Sequence, residues 1–352
     1  MRDIARLDGK KRAELFRAVS QTMRVHEAIV EKDFWVCWIL DYLFHDSPWK
    51  ESLAFKGGTS LSKAFGLIQR FSEDIDLILD WRLLGYSEAA AWAERSATQQ
   101  DIFGKEANLR TTAFLSNTMA GVLQAALTER AAAPIAVEVR GQELLVHYPK
   151  GFVLAAVQSQ VILEIGPLAA WIPNEPRSIS PYAAQQRTEF FTQTETTVRT
   201  IAAVRTFWEK ATILHQEAHR GKDKPLPARY SRHYYDLYRM SSAPVADEAL
   251  ARLDLLDDVV QFKMRFYRCP WAQYELAKPG SFRLSPPEHH LVALRQDYRA
   301  MQTLLFGEIP AFDAVLAGIA ALERRINGEN ATSANAPGGA KGAGLMLKVK
   351  PQ

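Results

Sequence analysis

The chain has 352 residues, 47% of them apolar, and sets 43 Lys/Arg against 40 Asp/Glu for a net charge of +3. That length gives one large domain or two ordinary ones a full core, and so small a charge does not by itself mark a nucleic-acid binder. Two cysteines, Cys37 and Cys269, exclude a disulfide framework. No apolar run approaches a membrane span, and no apolar signal segment follows the N-terminus. A cytoplasmic protein with no membrane association is expected.

In chain order, residues 10–45 carry helical spacing around Glu31-Lys32-Asp33. Ser52–Lys56 reads as a short strand that runs into Gly57-Gly58. Thr59–Gln69 reads as a helix with Leu61, Ala64, Phe65 and Ile68 on one face, and Asp74–Asp80 as a strand. Residues 88–133 are Ala-rich and helical, and strands are expected over 135–140, 144–148 and 160–165. Residues 167–181 look irregular and Pro-rich, 198–217 helical, and 230–240 helical again. The remainder to Asn327 is mostly helical, interrupted by the Pro/Gly stretch 279–287. Residues 328–352 are poor in aromatic residues and rich in Gly, Ala, Asn and Pro, a composition that cannot offset chain entropy; a disordered tail is expected there.

The chemistry concentrates at two places. Asp74 and Asp76, at i and i+2 of a strand, project to one face while Ile75 and Leu77 enter the core. Two adjacent carboxylates repel, and a pair of divalent cations relieves that repulsion while activating a hydroxyl and steadying a leaving pyrophosphate. Hard oxygen ligands suit Mg²⁺ or Mn²⁺. Upstream, Lys56-Gly57-Gly58-Thr59-Ser60 links strand to helix. Its glycines let backbone approach a phosphate, the helix start offers free N–H groups, and Thr59 or Ser60 can cap the helix and touch a phosphate oxygen. The spacing is not that of a Walker A loop.

Phe55-Lys-Gly-Gly-Thr-Ser-Leu-Ser-Lys-Ala-Phe-Gly66, followed by Arg70-Phe-Ser-Glu-Asp-Ile-Asp-Leu77, resembles the AbiEii family of nucleotidyltransferase toxins, which includes the MenT-type enzymes. Glu31-Lys-Asp-Phe-Trp-Val36, Phe282-Arg-Leu-Ser-Pro286 and Asp297-Tyr298 with Met301 extend the likeness across about residues 30–327. The resemblance implies an α/β fold: a DNA polymerase β-like nucleotidyltransferase core with a mixed sheet, an N-terminal helical segment and a mostly helical C-terminal lobe. The expected division is 1–170 for the helices and catalytic core, 171–327 for the lobe, and 328–352 for the tail.

Such sites take a third carboxylate. Glu164 is the lone acid of an apolar strand, where an unpaired charge is costly; Glu138 is its competitor, and the resemblance favours the Glu164 position. Lys210 and Asp236 match the family's later Lys and Asp motifs. The lysine would neutralise the β- and γ-phosphates, and Asp236 would orient it or help bind the nucleotide. Between Arg199 and Arg239 nine Lys/Arg stand against four acids, which suggests a phosphate-facing surface. The implied substrate is an NTP whose NMP passes to an acceptor hydroxyl, with a tRNA 3′ end as the leading acceptor. A protein or small-molecule acceptor, or a non-catalytic nucleotide-binding regulator, are the alternatives. A cognate antitoxin is implied by family only.

Other features have plainer readings. His215 and His219 lack the Glu placement of a zinc helix and read as exposed, as do His289 and His290. Lys32 reads as an ion pair at a helix end, Trp35 and Trp38 as core, and Arg232 and His233 as facing away from Asp236.

Overall fold

A computed structural model of the chain describes residues 1–328; most of the expected tail, from 329 on, lies outside the described residues. The fold is α/β. Seven strands, β1 (Leu53–Lys56), β2 (Asp74–Leu79), β3 (Ala136–Arg140), β4 (Glu143–His147), β5 (Val161–Gly166), β6 (Asn174–Ile179) and β7 (Thr196–Ile201), form one mixed sheet ordered β3-β4-β5-β2-β1-β7-β6. β2 runs antiparallel to β1 and parallel to β5, while β7 runs parallel to β1.

Strand alternation divides the sheet's two faces. Phe55, Ile75, Leu77 and Leu163 enter a core with the N-terminal helices α1 (Gly9–Met23) and α2 (Glu27–Asp41). The expected single helix over 10–45 is therefore two. Asp8 caps the first by accepting from the Lys10 and Lys11 N–H groups, Arg24 ends it in a left-handed turn, and His26 caps the second. Helix α2 is buried along nearly its whole length, Trp35 and Trp38 included.

The second face of the central strands carries Lys56, Asp76 and Glu164 beside a small apolar patch of Ala54, Ile78, Ala169 and Ile201. It looks toward helices that share a second core. These are α3 (Gly57–Lys63), α6 (Ala203–Ala218), α7 (Ser231–Ser241), α8 (Leu253–Phe266), α9 (Leu291–Met301) and α10 (Phe312–Ile326); α4 (Ala97–Phe114) and α5 (Ala120–Ala131) lie between α3 and α6 in the chain. A π-helical turn at Leu115–Met119 joins α4 to α5.

Two sequence expectations fail here. Within the expected irregular stretch 167–181, residues 174–179 form β6, and the helix expected from 198 on begins at Ala203, the residues before it to Ile201 belonging to β7, so the sheet runs past residue 170. β6 (Asn-Glu-Pro-Arg-Ser-Ile) is apolar only at Pro176 and Ile179, β7 (Thr-Thr-Val-Arg-Thr-Ile) only at Val198 and Ile201, and they sit at or next to the sheet edge, so the apolar periodicity is faint. Helix α3 also stops at Lys63 instead of reaching Gln69, and Gly66 at φ +63° carries the turn beyond it.

Candidate active site

The glycine turn explains how the site is packed. Gly57 has φ +81°, and a Cβ there would lie 1.8 Å from Asp76 Oδ2. A Cβ at Gly58 would lie 2.5 Å from the Arg70 guanidinium and 2.9 Å from Ser72 Oγ. Each glycine is therefore a place where backbone meets a charged side chain directly. The hydroxyls that follow do not cap the helix. Thr59 Oγ1 donates to the Asp74 carbonyl at 2.5 Å and Ser60 Oγ to the Gly57 carbonyl at 2.8 Å, and both residues are buried. They brace the turn against β2, which corrects their expected capping of the helix.

Register brings the acids together. Asp76 pairs with Lys56 on one side and with Glu164 on the other, so the three side chains share one face, and Glu143 lies beyond Glu164. Glu138 lies three strands from Asp74, along Leu145 and Ile162, or about 14 Å at the usual strand spacing. It is exposed and faces His147. Geometry thus separates the two candidates for the third carboxylate in favour of Glu164.

The electrostatics are those of crowded anions. Burial, then Asp76 and Asp74, push Glu164 up to about 7, although its side chain opens onto the cleft. Asp74 is raised by burial and by the neighbouring Glu73, and its Oδ1 is buried without a hydrogen-bond partner. Lys56 is raised: Glu209, Asp76, Tyr267 and Glu164 together outweigh its burial.

For a divalent cation, the donor chemistry fits. An orphaned buried carboxylate oxygen, a second carboxylate seated over Gly57 and a third in register beside it are all hard oxygen donors. Among the described residues no three such side chains yet converge as a closed ligand group. Of the three, Glu164 has the exposed side chain.

Facing this cluster is a second one. Asp236 on α7 is fully buried; it accepts both arms of Arg70, at 2.7 and 2.8 Å, and Lys210 of α6 at 2.7 Å. Burial would raise Asp236, but Arg70 and Lys210 hold it well below the usual carboxylate range, while burial lowers Lys210. Arg70 thus joins the Gly58 backbone to the Lys210–Asp236 pair. Sequence reasoning quoted this arginine in its motif without giving it a role. His233 was read as facing away; in fact burial, Lys210 and Arg232 depress it well below the ordinary range, so it stands neutral beside the cluster. Arg232 acts on both Lys210 and Glu164.

Glu73, directly before Asp74, is the other residue that sequence reasoning passed over. It accepts from Lys32 Nζ at 3.0 Å, from the Gln158 N–H at 2.9 Å and from Arg229 at 3.1 Å. Lys32 therefore lies mid-helix with a distant partner instead of pairing at a helix end. Its neighbours also part company: Asp33 pairs with Lys63, and Glu31 accepts from the Gly151 and Phe152 N–H groups. Arg229 holds a left-handed backbone, φ +63°, with its N–H pinned at 2.5 Å to Asp297.

The histidines differ as well. His215 is buried, its Nε2 bonded to the Gln273 carbonyl and its Nδ1 accepting from the Arg283 N–H, and burial lowers it to about 4. His290 is also buried.

The sequence matches the model of the nucleotidyl transferase AbiEii toxin, type IV toxin–antitoxin system, over residues 38–318. The chain belongs to the AbiEii nucleotidyltransferase toxin family. Among solved structures, this AbiEii toxin is similar to MenT4, the nucleotidyltransferase toxin Rv2826c of Mycobacterium tuberculosis H37Rv. That likeness has a TM-score of 0.51 at 16% identity and covers 90% of each chain. A second, from H. pylori and assigned as a nucleotidyltransferase, gives a TM-score of 0.38 at 13% identity over 84% of this chain and 94% of that one. No curated protein matches the sequence. Family membership brings an antitoxin partner, an NTP substrate and a divalent metal as the family's general equipment. Among the described residues no helix of this toxin is long and apolar enough to cross a membrane.

Proposed function

We propose that this AbiEii toxin carries out divalent-cation-dependent transfer of a nucleoside monophosphate from an NTP to an acceptor hydroxyl, with the 3′ end of tRNA as acceptor, so that translation stops. One observation carries the reading: Asp76 stands in register with both Lys56 and Glu164 on the sheet face that looks toward the C-terminal helices.

Asp74, Asp76 and Glu164 are the residues that would hold Mg²⁺ or Mn²⁺. Bound there, the cation would make the acceptor hydroxyl a better nucleophile and neutralise the triphosphate. Lys56, held charged among carboxylates, meets negative charge at the reacting phosphate. Lys210 serves the departing phosphates, and Asp236 with Arg70 fixes the lysine's position. Gly57 and Gly58 keep the approach to the reacting phosphate free of side chains. The acceptor oxygen bonds to the α-phosphorus, the bond to the bridging oxygen breaks, and pyrophosphate leaves.

Incubation with each α-labelled NTP, Mg²⁺ or Mn²⁺ and total tRNA should label tRNA at its 3′ end, and Asp76→Ala should abolish labelling and growth arrest together. Label in protein or a small molecule would replace the acceptor. No label under any condition, with Asp76→Ala still toxic, would sink the enzymatic reading.

A further inference from the structure

The carboxylate face opens onto a cavity of about 350 Å³ lined by Lys56, Asp76, Glu164 and Tyr267. A second cavity, of about 280 Å³, continues from it between the sheet and helices α6 and α8, and the two share Lys56, Leu168, Ala169 and Tyr267. Together they make one groove, of a size common for small-molecule sites. Its near end is anionic and its far end is not.

The far end is built for a flat ring. Tyr267 is 50% exposed there, yet its hydroxyl donates to the Leu168 carbonyl at 2.6 Å, which fixes the ring's position. Phe262, Tyr274 and Ile213 complete an apolar wall. Lys263 faces this wall: its Nζ lies 5.8 Å from the Tyr274 ring centre, donates to the Glu209 carbonyl at 3.2 Å and pairs with no carboxylate among the described residues, whereas Arg205 in the same lining pairs with Glu209. An exposed, fixed aromatic ring beside an ammonium with donors to spare suits a heteroaromatic ring that carries acceptor atoms on its edge.

The geometry points to the groove at Tyr267 and Lys263 as the pocket for the base of the incoming NTP, with Tyr267 as its stacking platform and Lys263 reading its edge. This rests on the nucleotidyltransferase reading above and deepens it. The groove starts at the residues assigned to the α-phosphate; Arg229 and Arg232, with Arg70, line a separate cavity of about 240 Å³ that shares no lining residue with it. Lys210, assigned above to the departing phosphates, lines neither cavity of the groove, so the departing phosphates and the base have different walls. Burial lowers Lys263 to about 7; in its ammonium form it only donates, and so favours bases whose edge presents an oxo group or ring nitrogen.

Titration calorimetry on the full chain with Mg²⁺ separates the two walls, using the four NTPs and inorganic tripolyphosphate as probes. Tyr267→Ala should weaken binding of the preferred NTP roughly ten- to a hundredfold, the scale of one lost base–aromatic stack, and leave tripolyphosphate unchanged. Tyr267→Phe should recover most of that loss. Lys263→Met should flatten the preference among the four NTPs. Thermal melting of each variant checks that it is folded.

If Tyr267→Ala melts like the parent and binds every NTP as tightly, the pocket assignment is wrong and the transferase reading stands. If instead NTP binding holds and the KM for tRNA rises, the groove takes the acceptor's terminal base and the assignment is overturned. If the parent protein binds neither NTP nor tripolyphosphate, the transferase reading itself fails and the pocket falls with it.

Discussion

Two residues at this site are decided by the absence of a side chain. Gly57→Ala adds a Cβ that overlaps the Asp76 carboxylate and puts alanine at φ +81°. Both effects oppose folding, and a loss of about 1–3 kcal/mol is expected. Transfer should fall by more than the loss of folded protein accounts for, since Asp76 must move. Chemical denaturation and labelling of tRNA on the same samples check this. Glu164 gives the pH signature. Its carboxyl is raised to about 7, so between the ordinary glutamate range and 7 the folded state holds a proton that the unfolded chain releases. Its contribution to stability therefore falls as pH rises through that window. Glu164→Gln should melt higher than the parent at pH 8 without added cation, and should lack the Mg²⁺-induced rise in Tm expected of the parent. A parent and variant with the same Mg²⁺ response would remove Glu164 from the ligand set. The carboxylate strand was legible at this scale because i, i+2 spacing fixes a face. Glu164 stood out because an acid in an apolar strand must have a reason. Arg70 and Glu73 were not legible: each sits in a loop before β2, and only their partners reveal them.

At the scale of elements, α6 and α7 are locked to the loop before β2 through one buried carboxylate. Asp236 is charged in the folded state and held well below its ordinary range. Its contribution is thus present at neutral pH and disappears as pH falls below about 4. Asp236→Asn leaves Arg70 and Lys210 facing each other without a partner, and should cost about 3–5 kcal/mol. Denaturant titration measures this, and the deficit should begin to shrink as pH falls below about 4, where the unfolded chain's carboxyl takes up a proton while the folded one, held by Arg70 and Lys210, stays charged. Elements were read well where apolar period was strong, as in β2, β5 and α7. They were missed where a strand is short, polar and close to an edge, as in β6. The expected basic surface of 199–239 also shrinks, because Arg199, Arg205, Lys210, Arg220 and Arg229 each pair internally with an acid. Net charge along a chain does not reveal which cations folding neutralises.

Across the whole molecule, Glu73 ties three distant segments beside Asp74: Lys32 from the N-terminal helices, Gln158 from the approach to β5, and Arg229 from the C-terminal lobe. Glu73→Gln should lower stability, because fully buried Lys32 loses its anion, and should weaken transfer although the residue touches no substrate. Arg229 and Arg232 accordingly part company as candidates for binding RNA. Arg232 pairs with no carboxylate among the described residues, so Arg232→Glu should weaken tRNA binding and shallow its salt dependence. Arg229→Glu should lower Tm instead, by setting a second carboxylate against Glu73. Binding titrations between 50 and 200 mM salt, run beside melting curves, tell the two apart.

The bond between Arg70 and Asp236 spans 166 positions. A ribosome adding roughly 5–20 residues per second needs on the order of ten seconds or more to cover that distance. Throughout that interval the carboxylate strand already exists as peptide, but the acid that fixes Arg70 and Lys210 has not been made. A chain that stalls or is cut before α7 therefore lacks Asp236, and with it the buried link between Arg70 and Lys210.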